Sequence, residues 1–285
     1  MAAKHTDSSA ALGIDIGGSG IKGAPVDTRR GELMADRLRI PTPQPAEPER
    51  VADVVAEIVE HFGWSGPVGC AIPAVVKDGV TWTAANIDHR WIGLDGRGLL
   101  ARRTGCAVTL LNDADAAGLA EMELGAGRGK EGLVILLTLG TGIGSAIFID
   151  GRLVPNTELG HLVVRGKKAE HRASARMRKE MGWSWKKWAG HLDEVLLYVA
   201  ALLSPDLFIL GGGVSRQHEK FLHHLTTEVP VVPAEMRNMA GIVGAALASR
   251  RSREPRIRPV DTVGGANPDR LEIPSPEPAA GATRR

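Results

Sequence analysis

Apolar runs of strand length alternate with longer amphipathic stretches along the first part of the chain. A stripe of valine and isoleucine at helical spacing marks residues 49–62 as a helix with one buried face. In chain order the pattern predicts a strand hairpin, an amphipathic helix, two buried strands and a small-residue helix, over residues 11–27, 49–62, 68–76, 108–111 and 113–125. This alternation indicates an α/β lobe, to which we assign residues 11–111.

The same order of elements begins again at Leu133. The pattern predicts a strand pair, a helix, a buried strand and a closing small-residue helix, over residues 133–148, 188–203, 207–210 and 242–249. We therefore expect a second α/β lobe over residues 112–249, with its last helix packed back on the first lobe. The polar residues 1–10 and the proline-rich residues 250–285 are expected to be disordered.

A glycine-rich turn follows the first strand of each lobe. The turns are Gly17-Gly18-Ser19-Gly20 and Gly140-Thr141-Gly142. Glycines let backbone N–H groups converge on an anion, because no Cβ atom stands in the way. An ordinary tight hairpin explains either turn taken alone, but two such turns facing one cleft indicate a grip on a phosphate chain, and hence phosphoryl transfer.

Two common phosphate-binding motifs are excluded by context. Residues 18–23 match the dinucleotide fingerprint G-x-G-x-x-G, but that motif requires a helix to open at the glycines, and here Pro25 and a turn-like stretch follow. The chain contains no G-x-x-x-x-G-K-[ST], so a Walker loop is excluded as well.

Composition narrows the setting of this chemistry. The chain has 285 residues, is 43% hydrophobic and contains two cysteines, which argues for a soluble protein of a reducing compartment. It shows neither a signal-peptide pattern nor an apolar run of about 20 residues, so we expect a cytoplasmic protein with no membrane partner. Because the net charge is only +2, a polyanion must bind to a local basic patch.

Four motifs in sequence order resemble those of the ROK sugar kinases, and within that family the actinobacterial polyphosphate glucokinases. They are Asp15–Gly23, Asn112–Ala117, Leu139–Gly144 and Glu158–His161. The resemblance covers roughly residues 11 to 249. It implies an actin-like, ribonuclease-H-type fold of two lobes with a ligand cleft between them. It also implies transfer of a phosphoryl group to the 6-hydroxyl of glucose, with Mg²⁺ as cofactor.

The chain departs from most of that family in two places. Residues 160–182 contain no cysteine, whereas most ROK proteins carry a cysteine-rich zinc site there. We therefore expect no structural zinc, as in the polyphosphate-using branch. The second departure is Ala74, which stands where the family usually has glycine.

The catalytic base implied by the resemblance is Asp113. Phosphoryl transfer needs a group that takes the proton of the attacking hydroxyl, and Asp113 stands at a predicted strand-to-helix junction. From the residues alone, an N-cap of the helix is an equally good interpretation. The resemblance places glucose on Asn112, Glu158, His161 and Glu170, and we add Asn86 to this set. A structural histidine remains the alternative for His161.

The donor and the metal are expected beside the two turns. By resemblance Asp15 holds Mg²⁺, usually through water, and the alternative is a turn-stabilising aspartate. A third glycine loop, at residues 211–213, resembles the nucleotide-side loop of this fold but could be a simple turn. The expected donor contacts are Gly17, Gly18, Ser19, Gly20, Lys22, Gly140, Thr141, Gly142, Gly211 and Gly212.

A basic stretch between residues 165 and 187 supplies the candidate track for polyphosphate. Arg172, Arg176 and Lys179 follow the i, i+4, i+7 spacing that aligns side chains on one helical face. Such a stripe neutralises a linear polyanion, and a solvated surface face is the alternative. The neighbouring Trp183, Trp185 and Trp188 are better explained as core or interface anchors, so no nucleic acid partner is expected.

These features favour a polyphosphate:glucose phosphotransferase that can also use ATP. An ATP-only hexose kinase is the first alternative, and a sugar-binding regulator without activity is the second. The resemblance and the tryptophan cluster, which reads as exposed, lead us to expect a homodimer.

Overall fold

Short strands alternate with helices along residues 9–251, the part of the chain that the computed structural model describes. The strands are β1 (Ala10–Ile16), β2 (Ile21–Asp27), β3 (Glu32–Leu33), β4 (Leu38–Ile40), β5 (Val68–Ile72), β6 (Val76–Lys77), β7 (Val80–Thr81), β8 (Val108–Asn112), β9 (Leu133–Leu139), β10 (Ile143–Ile149), β11 (Arg152–Val154), β12 (Val163–Val164), β13 (Lys167–Lys168), β14 (Leu207–Gly211) and β15 (Val231–Pro233). The α-helices are α1 (Pro48–His61), α2 (Gly96–Thr104), α3 (Asp113–Leu124), α4 (Glu170–Ala173), α5 (Ala175–Glu180), α6 (Trp185–Leu203) and α7 (Ala240–Arg251). Single 3₁₀ turns at His89–Trp91, Leu159–His161, Leu222–His224 and Arg237–Met239 and a longer 3₁₀ segment at Gly213–Lys220 complete the order.

The two main sheets share one plan. The first has the order β3-β2-β1-β5-β8, with β4 also paired to β2, and the second has the order β11-β10-β9-β14-β15. In each, an antiparallel hairpin is followed by two strands parallel to its first member, which are β5 and β8 in one sheet and β14 and β15 in the other. Because the carboxyl ends of parallel strands share an edge, each hairpin turn lies at the edge where ligands of α/β sheets bind.

Local sequence explains where the main helices begin. Helix α1 opens with Pro48 in its first turn and buries Val51, Val55 and Ile58, as the stripe predicts. Helix α6 begins at Trp185, three residues before the predicted start, because the hydroxyl of Ser184 accepts the Lys187 N–H and caps the helix. Strand β5 ends at Ile72 instead of Val76, because Pro73 has no N–H to continue the ladder.

Helix α7 joins the two halves. It packs on β1 and β5 of the first sheet and on α3, which in turn packs on β10 of the second. The contact is backbone to backbone: a Cβ atom at Gly13 would overlap the carbonyl of Ile242, and one at Gly69 would overlap that of Ala245. The closing small-residue helix thus lies against the first sheet, with its apolar residues in a core that both sheets share.

The terminal segments lie largely outside the described residues. Of the predicted disordered residues 1–10, the structure describes Ser9 and Ala10, and Ala10 opens β1. Of residues 250–285 it describes the last two residues of α7. Among the described helices, none has the length and apolar character needed to cross a membrane.

Candidate active site

A cleft of about 550 Å³ lies where the two glycine-rich turns meet. That volume is within the range of about 300–1,000 Å³ usual for small-molecule sites. Its lining includes thirteen of the predicted residues: Gly17, Gly18, Ser19, Asn86, Asn112, Asp113, Gly140, Thr141, Gly142, Glu158, His161, Glu170 and Gly212. Seven predicted residues stand outside the lining, namely Asp15, Gly20, Lys22, Gly211, Arg172, Arg176 and Lys179.

The first turn joins β1 to β2, and side chains from the following segment hold its carbonyl groups. Three hydrogen bonds do this: Thr42 Oγ1 to Gly17 O (2.5 Å), Gln44 Nε2 to Gly18 O (3.1 Å) and Arg39 Nη2 to Ser19 O (3.1 Å). With these carbonyls engaged from outside, the arrangement favours N–H groups as the donors that the turn offers to an anion. Arg39 was not among the predicted residues, and it adds a guanidinium beside Gly20.

Behind this turn, Asp15 and Lys22 face each other across the hairpin. The Lys22 Nζ atom is 3.5 Å from Asp15 Oδ2, and the two residues are direct partners in the β1–β2 register. Burial raises the pKa of Asp15, and Lys22 lowers it in part. Lys22 is therefore engaged with a carboxylate.

The donor set suits Mg²⁺ held jointly with a substrate. Within residues 9–251 no three His, Cys, Asp or Glu side chains are grouped so as to hold a metal ion by themselves. Mg²⁺ is usually bound through one or two carboxylates, with water and substrate phosphates as the other ligands. Asp15 and Asp113 lie close enough that the charge of Asp15 raises the pKa of Asp113, so two carboxylates fit that scheme.

The second turn joins β9 to β10 and is held by the segment that follows β13. The Arg176 N–H donates to Gly140 O at 3.0 Å. A Cβ atom at Gly142 would stand 2.6 Å from Glu170 Oε2, so only glycine leaves room for that carboxylate. Gly212 closes the floor with φ +81°, its backbone packed against Leu139.

Asn112, and not Asp113, caps helix α3. Its Oδ1 accepts the N–H groups of Ala114 (2.8 Å) and Asp115 (3.1 Å), and its Nδ2 donates to Ala74 O (3.2 Å). The interpretation of Asp113 as the N-cap is therefore wrong. The amide of Asn112 is held by protein partners, and it presents itself to the cleft in one fixed orientation.

Asp113 opens on the cleft from the first turn of α3. Burial, together with the charges of Asp15, Glu158 and Asp115, raises its pKa from 3.8 to about 7, although the hydrogen bond from the Ala114 N–H lowers it in part. A carboxylate with a pKa near neutrality can accept a proton from an alcohol in a transition state and release it again to water.

Three of the residues predicted to bind the sugar, Glu158, His161 and Glu170, lie together in the lining of the cleft. Glu170 Oε1 lies 3.7 Å from His161 Nε2 and 3.8 Å from His171 Nε2. Burial raises the pKa of Glu158. The neighbouring His161 lowers this pKa, and the charge of Glu170 raises it. Gly160 lets this segment approach β10, because a Cβ atom there would overlap the Ile143 carbonyl. Carboxylates and imidazoles in this arrangement can bind the hydroxyl groups of a sugar.

Residues that were not predicted hold the loop that carries Glu158. Ser145 Oγ donates to Thr157 O at 2.8 Å and accepts the Leu159 N–H at 2.9 Å. Asn156 donates its N–H to the buried Asp115 (2.8 Å), and its side chain makes two hydrogen bonds to the backbone of Val76. The available signals in the sequence were that Asp115 comes two residues after Asp113 and that Asn156 comes two residues before Glu158.

The predicted basic stripe is not formed. Ser174 adopts φ −63° and ψ 155°, which ends α4, and its hydroxyl caps α5, so Arg172 stands on a different helix from Arg176 and Lys179. Arg172 is bound by Glu194, whereas Arg176 and Lys179 are exposed on α5. The Arg176 Nε atom also lies 3.7 Å from Glu180 Oε1.

The tryptophan cluster belongs to the core more than to the surface. Trp188 is fully buried, and its ring meets Phe221 edge-on at 5.0 Å. Trp185 stacks on Phe221, with 5.9 Å between the two ring centres. The Arg178 guanidinium lies 3.8 Å from the ring centre of Trp185. The prediction that these tryptophans anchor the core is confirmed for Trp188. The prediction that they form an exposed cluster, which supported a dimer, is wrong for Trp188.

The ROK family model matches residues 11–175 of the chain. The chain is 53% identical over 239 residues to the polyphosphate glucokinase of Mycobacterium tuberculosis (strain CDC 1551 / Oshkosh), a match that covers 84% of this chain and 90% of that protein. The chain belongs to the ROK family. The resemblance stated from its motifs is thereby confirmed.

Two solved structures share the fold. The inorganic polyphosphate/ATP-glucomannokinase of Arthrobacter sp. strain KM superposes with a TM-score of 0.82 at 47% identity, covering 86% of this chain and all of the other. A ROK family glucokinase of Streptomyces griseus, solved with glucose and AMPPNP, gives 0.72 at 26% identity, with coverages of 85% and 99%. The predicted α/β, two-lobe actin-like and ribonuclease-H-like fold is confirmed.

Proposed function

We propose that this protein transfers a phosphoryl group from inorganic polyphosphate, and also from ATP, to the 6-hydroxyl of glucose. The observation that carries the proposal is the cleft itself, in which Asp113 stands among both glycine-rich turns and the Glu158, His161 and Glu170 group. The polyphosphate glucokinase and the polyphosphate/ATP-glucomannokinase described above support the choice of donor and acceptor.

Asp113 acts as the general base in this proposal. Its carboxylate takes the proton of the glucose 6-hydroxyl as the O6–P bond forms and the bond from phosphorus to the donor's bridging oxygen breaks. The products are glucose 6-phosphate and a polyphosphate chain shorter by one unit, or ADP. A pKa near 7 supports the role, because a substantial fraction of the group is then ionised at neutral pH and the carboxylate is more basic than an ordinary one.

The two turns and Mg²⁺ share the charge of the donor. We assign donor contacts to Gly17, Gly18, Ser19 and Gly20 in the first turn, to Gly140, Thr141 and Gly142 in the second, and to Gly211 and Gly212 on the floor. Asp15, with Lys22 beside it, would hold Mg²⁺, which supplies charge neutralisation along the phosphates when bound. Glucose hydroxyls are assigned to Asn86, Asn112, Glu158, His161 and Glu170.

The distant end of a polyphosphate chain is assigned to exposed cations near each turn. Arg176 and Lys179 lie on α5, and the backbone N–H of Arg176 donates to Gly140 O in the second turn. Arg39 lies beside the first turn. ATP is too short to occupy such a track along its whole length, so these residues would distinguish the two donors. An ATP-only hexose kinase would leave them as a solvated surface.

A homodimer is part of the proposal. Leu197, Tyr198 and Leu202 leave apolar surface exposed on one side of α6, with 43%, 47% and 60% of each accessible. We expect a second copy to cover them. Sedimentation equilibrium tests this, since a Leu202→Glu variant should shift a dimeric protein toward monomer, whereas a monomeric wild-type protein would contradict it.

Formation of glucose 6-phosphate tests the function directly. The purified protein is given Mg²⁺ and glucose with either ATP or polyphosphate freed of contaminating nucleotide. Turnover with polyphosphate is expected, together with turnover with ATP. Turnover with ATP alone would favour the hexose kinase, and sugar binding without turnover would favour a regulator.

A further inference from the structure

The ion pair between Arg172 and Glu194 stands outside the cleft, yet it holds the element that carries Glu170. We propose that Arg172 is a positioning residue for the sugar site, not a contact for the phosphate donor. With Glu194 it fixes helix α4, and thereby the Glu170 carboxylate. The inference rests on the proposed role of Glu170 in sugar binding.

Burial makes the Arg172 guanidinium depend on its partner. Its side chain is 14% exposed, and its Nη2 atom is bonded to Glu194 Oε2. The other carboxylate oxygen of Glu194 receives Arg165 Nε at 3.2 Å. In the described part of the chain the Arg172 Nε is buried and meets no acceptor. Separating the two partners would leave a poorly solvated charge, which is unfavourable. The two side chains therefore stay together, and each fixes the position of the other.

Helix α4 needs such support because it is four residues long. A helix of that length has no stability of its own and is placed by tertiary contacts. The indole N–H of the fully buried Trp188 donates to Ala173 O (3.0 Å) and Ser174 O (3.2 Å), which fixes the end of α4. The Arg172–Glu194 pair ties the middle of the same helix to α6.

Glu170 is the first residue of α4 and lies between His161 and Gly142 of the second glycine-rich turn. Its carboxylate is 3.7 Å from His161 Nε2, and it occupies the space that a Cβ atom at Gly142 would need. Because Glu170 and Arg172 share a single helical turn, a displacement of Arg172 moves Glu170 as well. The ion pair therefore acts on the part of the cleft that Glu170 and His161 line.

The same geometry makes Arg172 a poor donor contact. Its charge is neutralised by Glu194, and its side chain is largely covered, whereas Arg176 and Lys179 on α5 are exposed. Charge neutralisation of a polyanion requires cations that the solvent and the chain can reach.

Neutral substitutions of the two oppositely charged partners test the inference. We expect Arg172→Met and Glu194→Gln to weaken glucose binding in the same direction, each by about tenfold in KM and in Kd, as for the loss of one hydrogen bond. The KM for polyphosphate and its dependence on salt should stay as in the wild-type protein. Arg172→Lys, which keeps the charge, should recover part of the glucose affinity.

A donor contact predicts a different pattern. Arg172→Met would then raise the KM for polyphosphate, and Glu194→Gln, which removes a negative charge, would lower it. That result, or unchanged glucose affinity in folded variants, would overturn the inference. Glu180→Gln is the matched control, because it breaks the exposed Arg176–Glu180 pair on the neighbouring helix without touching α4.

Direct binding separates this inference from the proposed function. Glucose Kd is measured by calorimetry without any donor, and folding of each variant is checked by circular dichroism and thermal melting. If the wild-type protein binds glucose but turns over with neither donor, the proposed function fails while the Kd comparison still decides the role of Arg172. Should Arg172→Met fail to fold, Glu194→Gln carries the test, because an unchanged glucose Kd in that variant contradicts the positioning role.

Discussion

The two glycine-rich turns occupy equivalent places in the two sheets but differ in what surrounds them. Around the first turn stand Lys22 and Arg39, with hydroxyl and amide groups on its carbonyls. Around the second stand the Glu170 carboxylate and the N–H of Arg176. One turn therefore has the Asp15–Lys22 ion pair behind it and an exposed guanidinium beside it, whereas the other lies between a carboxylate and the start of a basic helix.

This difference indicates a division of labour between two hairpins of the same plan. A repeated strand–turn–strand element gives two sets of backbone N–H groups, and the residues that reach each set decide which ligand it meets. We infer that the first turn serves the donor and its metal, and that the second stands where donor and sugar meet. Asp113, at the carboxyl end of β8, lies within reach of both.

The largest effect is expected at the residue that both turns share. Asp113→Asn removes the proton acceptor and should lower kcat by about a thousandfold with either donor, within the range usual for a general base. Glucose affinity should change little, because the amide keeps the size of the carboxylate. Kinetics with both donors, together with glucose Kd by calorimetry, check this. A loss confined to one donor would show that Asp113 does not act on the sugar hydroxyl.

Two glycine substitutions separate the roles of the turns. In Gly142→Ala the new methyl group must displace the Glu170 carboxylate, and in Gly20→Ala it must displace the Arg39 guanidinium, which would lie 2.8 Å away. We expect Gly142→Ala to raise mainly the KM for glucose and Gly20→Ala mainly the KM for the donor, each by roughly tenfold, as for the loss of one charge-assisted hydrogen bond. Equal effects of both variants on both constants would remove the proposed division.

The basic helix beside the second turn should distinguish the donors. Replacing Arg176 and Lys179 by glutamine is expected to raise the KM for polyphosphate a few-fold and to leave that for ATP nearly unchanged. The slope of log KM against log salt should fall by about one to two, since each lost phosphate contact removes about 0.7 to 0.9. Measurement at several salt concentrations checks this, and an equal loss with ATP would contradict a polyphosphate track.

The ionisation of Asp113 also affects stability. The pKa of Asp113 is 3.8 in its ordinary state and about 7 here, so the folded protein holds the proton more tightly than the unfolded chain. The associated stability is present below pH about 4 and is lost as the pH rises through about 7. Asp113→Asn should therefore raise the melting temperature at pH 8 and leave it nearly unchanged at pH 4. A lower melting temperature for the variant at pH 8 would contradict the raised pKa.

Local patterns predicted most of the fold and the turns, and tertiary contacts decided the rest. The apolar stripe of α1 and the strand–glycine–strand pattern depend on residues close in sequence, so they could be found without a structure. The break at Ser174 could not, because the run of charged residues gives no sign that a serine hydroxyl caps a second helix. That one break changed the interpretation of Arg172.

The candidate site divides in the same way. Residues in the quoted motifs line the cleft, whereas Arg39, Gln44 and Asn156 reach it or its supporting loop from segments without a recognisable motif. The N-cap of α3 is Asn112 and not Asp113, which depended on which of two adjacent side chains turns toward the helix end. Backbone direction at that residue, which the sequence does not display, decides it.

The pH dependence of kcat/KM for glucose is the sharpest test of Asp113 as the general base, because this constant reports the ionisation of the free enzyme. It is measured from pH 5 to 9 with polyphosphate and again with ATP, so that a limb belonging to the enzyme appears with both. We expect activity to rise with pH through about 7, where the Asp113 carboxylate becomes ionised. Activity that is level down to pH 5 with both donors would contradict Asp113 as the base of this cleft.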